Sequence, residues 1–302
     1  MAAILITGGA GQVASALAGQ AAAQGLAFRH VGRPEFDFDA PASIDAAFAA
    51  ASPALVVNAA AYTGVDAAES DAEAAYRANR DGPARLAALC AAARVPLIHI
   101  STDYVFDGNK GAPYVETDPT APSGVYGASK LAGEQAVQAS GAPAIILRTA
   151  WVVSPTGRNF VRTMLNAARR TDHLRVVGDQ RGCPTVAGDL AAAILAIAGR
   201  IAREGWQDRF AGVFHAAGGG ETSWHGLAEA VFDAAAPLGL RRPDVAAIAT
   251  ADWPTPVRRP PDSRLDCTRL AQVFGLRLPP WQQSVAACVA AILAAEPPAA
   301  PG

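Results

Sequence analysis

Tyr126 and Lys130 stand four residues apart in Val125-Tyr126-Gly127-Ala128-Ser129-Lys130, a spacing that puts both side chains on one face of a helix. A nearby ammonium favours phenolate over phenol, so Lys130 is expected to lower the Tyr126 pKa from about 10 toward the working range. A tyrosine tuned in this way can protonate a forming alkoxide, and Lys130 can also hold the hydroxyls of a ribose. Thr102, at the tip of the apolar run Leu97-Ile98-His99-Ile100-Ser101, offers a hydroxyl to the same substrate oxygen. Tyr-x-x-x-Lys by itself is also what an amphipathic surface helix carries, so its meaning depends on its surroundings.

The surroundings include a glycine turn. In Ile4-Leu5-Ile6-Thr7-Gly8-Gly9-Ala10-Gly11-Gln12-Val13-Ala14 an apolar strand runs through glycines into a helix. Gly8 makes the tight turn, Gly11 lets backbone approach a pyrophosphate at the helix N-terminus, and Ala14 is small enough for close helix packing. Cofactor preference is set at the end of the second strand, where Gly32-Arg33 stands. An arginine there suits the 2′-phosphate of NADPH; the other reading of Arg33 is a solvated surface charge. Asp37 is a candidate for the adenine or its ribose, or else a turn residue or cap before Ser43.

These groups need a scaffold that gathers them. The first half alternates short apolar runs with alanine-rich helical stretches, the pattern of a doubly wound α/β fold with a parallel sheet. Expected strands are Ala3 to Thr7, Ala27 to Val31, Leu55 to Asn58, Leu97 to Ser101 and Ala144 to Arg148. Most are apolar throughout, as strands covered on both faces are, and ligands of such sheets collect at the carboxyl ends. Glu69 to Arg94 reads as helix between them. Residues 1–150 form the expected dinucleotide-binding domain, to which later segments return. Residues 151–302 form mainly a smaller substrate-binding lobe, with helices expected over Asn159 to Arg170, Asp189 to Arg203 and Trp224 to Ala236. The proline-rich stretch Trp253 to Arg264 reads as an ordered loop or an edge, and Glu296 to Gly302 as a frayed tail.

Composition narrows the classes further. The 302 residues are 51% apolar and 17% charged, within the globular range, and the net charge of −2 gives no field that draws nucleic acid or an anionic membrane. Cys90, Cys183, Cys267 and Cys288 are widely spaced and form no CxxC pair, which argues against a zinc site or a disulfide framework. Met1 to Thr7 lacks a basic start and is too short for a signal or a membrane span, so a cytoplasmic location is the expectation.

The chain resembles the extended short-chain dehydrogenases, which have a Rossmann sheet, and within them the branch that reduces deoxysugar nucleotides. The resemblance rests on Thr7-Gly8-Gly9-Ala10-Gly11-Gln12-Val13, Asn58-Ala59-Ala60-Ala61-Tyr62-Thr63, Val65-Asp66-Ala67-Ala68-Glu69, Ser101-Thr102-Asp103-Tyr104-Val105-Phe106, Tyr126-Gly127-Ala128-Ser129-Lys130-Leu131-Ala132-Gly133-Glu134, Arg148-Thr149-Ala150-Trp151-Val152 and Pro254-Thr255-Pro256-Val257-Arg258-Arg259-Pro260. It implies NADPH- or NADH-dependent reduction of the 4-keto group of dTDP-4-dehydro-L-rhamnose to dTDP-L-rhamnose, by a monomer or homodimer. It makes Tyr126 the proton donor, Lys130 the ribose holder and Thr102 the supporting hydroxyl. Gly11, Gln12, Val13, Asp37, Phe38, Ala61, Tyr62 and Thr63 match cofactor-lining positions, while Thr102, Asp103 and Trp151 match positions that meet the sugar nucleotide.

Several assignments stay open at this stage. Trp151 is either a substrate contact or a core aromatic where two lobes join. Arg258 and Arg259 either pair with the diphosphate or brace the proline loop by salt bridges. Some relatives dimerise through magnesium held by glutamates, one of them in the first helix; Ser15 and Ala16 occupy that region here, and no metal is expected. Two rival functions remain. One is a sugar-nucleotide epimerase of the same fold, against which the proline-arginine loop argues. The other is a non-catalytic subunit like the one that binds methionine adenosyltransferase, against which the joint presence of Thr102, Tyr126 and Lys130 argues.

Overall fold

In the computed structural model, which describes residues 3–295, six parallel strands form the central sheet. The first five are β1 (Ile4–Thr7), β2 (Phe28–Val31), β3 (Leu55–Asn58), β4 (Leu97–Thr102) and β5 (Ala144–Thr149). The sixth, Gly212–His215, comes from the second half of the chain and pairs with β5. From that edge the order is Gly212–His215, β5, β4, β3, β1, β2. The chain leaves β1 toward β2 and returns on the other side as β3, so a crevice opens where the order reverses, at the carboxyl ends of β1 and β3. Thr7 and Asn58 are paired there in register, and the Thr7 hydroxyl donates to Asn58 Oδ1 over 2.7 Å.

Alternation along each strand explains why most of the strands are apolar. Leu5, Val56, Leu97 and Ile146 turn to one face and pack with Ile44, Leu86, Cys90 and Val137. These come from α2 (Pro41–Ala51), α4 (Gly82–Ala93) and α5 (Val125–Ala139). Ile6, Val57, Ile98, Ile145 and Leu147 turn to the other face, against Ala14 and Leu17 of α1 (Gln12–Ala23) and Leu190, Ile194 and Ile197 of a later helix. A strand buried on both faces carries no polar side.

Expected helix Glu69 to Arg94 is broken up. A 3-10 turn at Ala67–Glu69 is followed by α3 (Ala72–Tyr76), a π turn at Arg77–Asp81 and then α4. The extra residue of the π turn re-aims Asn79, which is fully buried, toward the loop after β3.

Past β5 come α6 (Phe160–Ala168), α7 (Ala187–Glu204), α8 (Trp224–Ala235), α9 (Thr268–Phe274) and α10 (Trp281–Ala294). Helices α7 and α9 return to the sheet's core through Ile194, Ile201, Leu270 and Phe274. A separate core joins α6, α8 and α10 through Val161, Leu165, Leu227, Phe232 and Val285. Beside it lies a parallel pair, His173–Val177 with Asp244–Ile248, which the sequence pattern did not single out. The proline-rich stretch forms a loop whose end touches the strand Arg181–Gly182: Arg181 N donates to Pro261 O and Ser263 N to Arg181 O, each over 2.9 Å. The tail expected to fray, 296–302, lies outside the described residues.

One buried ion pair joins sheet and helix. Arg148 of β5 donates from Nε (2.9 Å) and Nη2 (2.6 Å) to Glu134 of α5, and the two side chains are only 5% and 1% exposed. Replacing Arg148 with Leu leaves a buried carboxylate without its cation and is expected to cost about 3–5 kcal/mol of stability in urea denaturation. Breaking the exposed Arg85–Asp45 pair with Arg85→Leu is expected to cost far less, because water screens the pair. Equal losses would mean that the buried pair does not brace the fold.

Candidate active site

The turn after β1 is shaped by backbone packed against backbone. Gly8 adopts φ +119°, and a Cβ there would sit 2.9 Å from the Ala59 backbone. A Cβ on Gly32 would sit 2.5 Å from Gly9 Cα. Helix α1 is preceded at its N-cap by Gly11, which has no side chain to cap the first-turn amides. Those amides and the positive end of the helix remain available to an anion. The arrangement fits the diphosphate of a dinucleotide.

Two hollows meet at this turn and share Gly8, Ala10 and Ala61. The first, about 580 Å³, is lined by Gly8, Gly11, Gln12, Val13, Ala61 and Thr63 on the side of the turn. Thr102, Asp103, Tyr126, Lys130 and Trp151 line it too. The second, about 490 Å³, is lined by Arg33, Phe38 and Tyr62 with Gly8 and Ala61. The Phe38 ring occupies the space where a Cβ on Gly82 would stand.

Three of the expected residues lie elsewhere. Asp37 lines neither hollow: its carboxylate accepts from Arg33 Nε at 2.9 Å and from Asp39 N, while its own N–H donates to Ser43 Oγ. Arg259 does not reach the hollow either. It pairs with Asp66 at 2.6 Å and approaches the Tyr104 ring, so it braces the proline loop against the segment after β3. Arg258 is exposed, and its carbonyl accepts from Ser123 Oγ. Neither arginine lines the first hollow.

Helix α5 carries the central side chains. Tyr126, Lys130 and Glu134 follow one another at four-residue steps and share its inner face. Lys130 is 2% exposed and donates to Ile100 O of β4 over 2.6 Å. Glu134 accepts from Ser101, the next residue of β4, and from Arg148 of β5. The start of the helix is held by Glu69, which accepts from Val125 N, and by Gly127 lying close on Tyr104 O.

Electrostatics in the hollow differ from the sequence expectation. The Tyr126 phenol is pushed up, not down: loss of water is the largest effect, with Asp103 and Tyr104 acting the same way and a hydrogen bond with Thr102 opposing them. Lys130 exerts no pull that offsets this, because its ammonium is itself desolvated and turned to Ile100 O. Burial lowers Lys130 to about 8, while the Glu134 carboxylate raises it. Burial also raises the Asp103 carboxyl to about 6, against the hydroxyls of Ser263 and Thr102. At neutral pH the phenol therefore keeps its proton and the ammonium is mostly charged.

Several groups escaped the sequence reading. Asn79 accepts from Tyr62 N and donates to Tyr62 O and to Ser129 Oγ, and Ser129 Oγ donates to Tyr126 O. The chain of bonds links the second hollow to the catalytic helix. Its signal was Ser129 on the helix of the Tyr-Lys pair, but Asn79 needed the π turn. Trp224 was read only as the start of a helix, yet it lines the first hollow. It stacks on Trp151 with centroids 3.6 Å apart and planes 5° apart. Trp151 adopts φ +45°, uncommon for a bulky residue, and its indole fills the place of a Cβ on Gly182. Trp151 packs between two cores and also lines the hollow. Among the described residues, no three His, Cys, Asp or Glu side chains gather as a metal cage, and no helix is long and apolar enough to cross a membrane.

A Rossmann sheet with a glycine turn, and a Tyr-Lys pair facing a strand-end threonine, define the class: an extended short-chain dehydrogenase. The model of the RmlD substrate binding domain matches residues 1–294, and the chain belongs to that family. It is 45% identical over 290 residues to a dTDP-4-dehydrorhamnose reductase of Sinorhizobium fredii, covering 96% of this chain and 97% of the relative. A dTDP-4-dehydrorhamnose reductase of Burkholderia thailandensis is 42% identical over 96% of this chain and 99% of its own. Among solved structures, one from Clostridium acetobutylicum with that name superposes with a TM-score of 0.87 at 33% identity, over 95% of this chain and 98% of its own. One from Bacillus anthracis, in complex with NADP, gives 0.85 at 28% identity, over 93% of this chain and 96% of its own.

The Asp103 shift has a consequence for stability. A carboxyl raised from 3.8 to about 6 by folding favours the native state when protonated, and that contribution is lost as pH rises through about 6. At neutral pH the ionised group costs about 2–3 kcal/mol. Asp103→Asn keeps an acceptor for Thr102 and is expected to melt a few degrees above wild type, a gap that opens between about pH 4 and 6 and is level beyond. Melting curves across pH with no such gap would mean that the buried carboxylate is stabilised by other means.

Proposed function

We propose that the chain reduces the 4-keto group of dTDP-4-dehydro-L-rhamnose to give dTDP-L-rhamnose, using NADPH or NADH. The observation that carries this reading is the convergence of Thr102, Tyr126 and Lys130 on one hollow with the glycine turn, in a chain whose relatives over nearly full length bear that enzyme's name. The uncapped start of α1 would hold the cofactor's diphosphate, and Arg33, Phe38 and Tyr62 its adenosine half. When bound, the reduced nicotinamide supplies the hydride that reaches the carbonyl carbon.

The chain's own part is to place a proton and exclude water. Tyr126 gives its phenolic proton to the carbonyl oxygen as charge develops there. Its raised pKa keeps that proton in place at neutral pH, so the acid is loaded before substrate arrives. Thr102, beside Tyr126 on the wall of the hollow, steadies the same oxygen. Lys130 holds the nicotinamide ribose with its remaining N–H bonds. Trp151, stacked on Trp224, forms the wall on which the sugar rests.

Loss of NADPH absorbance in the presence of the keto sugar nucleotide tests the reading directly. Tyr126→Phe is expected to lower kcat by about 10²–10⁴ with little change in NADPH affinity. No consumption by the wild type would overturn the reading. NADPH is expected to outperform NADH if Arg33 meets the 2′-phosphate, and the two to be equal if its pairing with Asp37 and Asp39 keeps it occupied.

The free enzyme's kcat/KM is expected to fall as pH rises through about 8, where Lys130 loses its charge, while the phenol stays protonated. A profile that stays flat across that range would remove the lysine's charge from the mechanism.

A further inference from the structure

The first hollow contains a cation that the Tyr-Lys chemistry leaves unused. Arg158 lies on its wall, is exposed, and has no carboxylate partner among the described residues. The other cation lining the hollow, Lys130, is buried and bonded to Ile100 O. Arg259 is engaged by Asp66, and neither it nor Arg258 lines the hollow. Any diphosphate bound there therefore has Arg158 as its available guanidinium.

The backbone beneath Arg158 is held firmly. Asn159 donates from Nδ2 to Gln12 Oε1 over 2.9 Å and to Ser154 O over 2.8 Å. Its Oδ1 accepts from Arg162 N and so caps α6. Arg162 donates to Pro155 O over 2.7 Å, closing the loop from its other end. Gly157 adopts φ +72°, and a Cβ there would lie 3.3 Å from Gln12 Cγ. The loop 154–159 thus hangs from the first turn of α1, whose uncapped amides face the same space. Asp103 is the single carboxylate lining the hollow, and it sits with Thr102 and Tyr126 at the catalytic end.

We infer that Arg158 is a diphosphate-binding residue, carried by the second lobe and placed by Asn159 against the glycine turn. The inference rests on the reductase reading, in which both ligands, the dinucleotide and the sugar nucleotide, carry a diphosphate. A guanidinium matches that group well, since its planar fork can bond two phosphate oxygens at once. Because the loop is tied across to Gln12, binding through Arg158 also draws the second lobe onto the nucleotide fold.

Two binding titrations distinguish the ligands: NADPH by fluorescence without sugar nucleotide, and dTDP by calorimetry. Arg158→Gln is expected to weaken one of them by about ten- to a hundredfold and leave the other within about twofold. Loss confined to NADPH assigns the arginine to the cofactor's diphosphate; loss confined to dTDP assigns it to the substrate's. Arg158→Lys is expected to recover part of the affinity, because it restores charge without the fork. The side chain has no partner among the described residues, so melting temperature should not move, and a fall there would point to a structural role instead. Unchanged affinity for both ligands, in a variant as stable as wild type, overturns the inference. Wild-type protein that binds neither NADPH nor dTDP overturns the reductase reading and with it this residue's role.

Discussion

A carboxylate with almost no access to water organises the catalytic half of this protein. Glu134 sits on the inner face of α5 and is neutralised by Arg148 from β5, with Ser101 of β4 as a further donor. A buried charge is tolerated only when it is paired and hydrogen-bonded. Helix α5 can therefore lie on the sheet in one rotation, the one that brings Glu134 to Arg148. Lys130 is one turn back on the same face and Tyr126 one turn further, so the pair that locks the helix also aims the chemistry. Phe106 lies near the Arg148 guanidinium at 5.1 Å and completes its surroundings.

The neighbouring hollow is less comfortable. Asp103 Oδ2 and Thr149 Oγ1 are buried without a partner among the described residues, and Trp151 holds a backbone conformation that bulky residues rarely adopt. Groups of this kind collect where a site is shaped for a ligand before it arrives. Desolvation has opposite effects on the two central residues, raising the phenol and lowering the ammonium. The tyrosine is better described as an acid kept protonated than as one primed to ionise.

The two cores meet through few but specific contacts. Trp151 leaves the end of β5 and stacks on Trp224 of α8, against the second core. Gln12 of the glycine turn accepts from Asn159. The proline loop reaches back through Arg259 to Asp66 and through Val257 to Gly124 at the start of α5. Each contact ends on a segment that borders the hollow, so lobe packing and site shape are one property.

Local pattern was enough for β1 to β5, most of which are apolar because a sheet covered on both faces has no polar side, and for the glycine turn, because few residues other than glycine tolerate its backbone. It was enough for Tyr126 and Lys130, whose spacing places them together on any helix. Long-range pairing was beyond it. The carboxylate of Asp66 claims Arg259, at a distance that depends on how separate segments pack. The π turn that aims Asn79, the face on which Trp224 emerges and the site of Arg158 follow from tertiary contacts, as does desolvation. The sequence determined which groups could do the chemistry; only the folded structure decided their protonation and their partners, because both depend on water removed by residues far away in the chain.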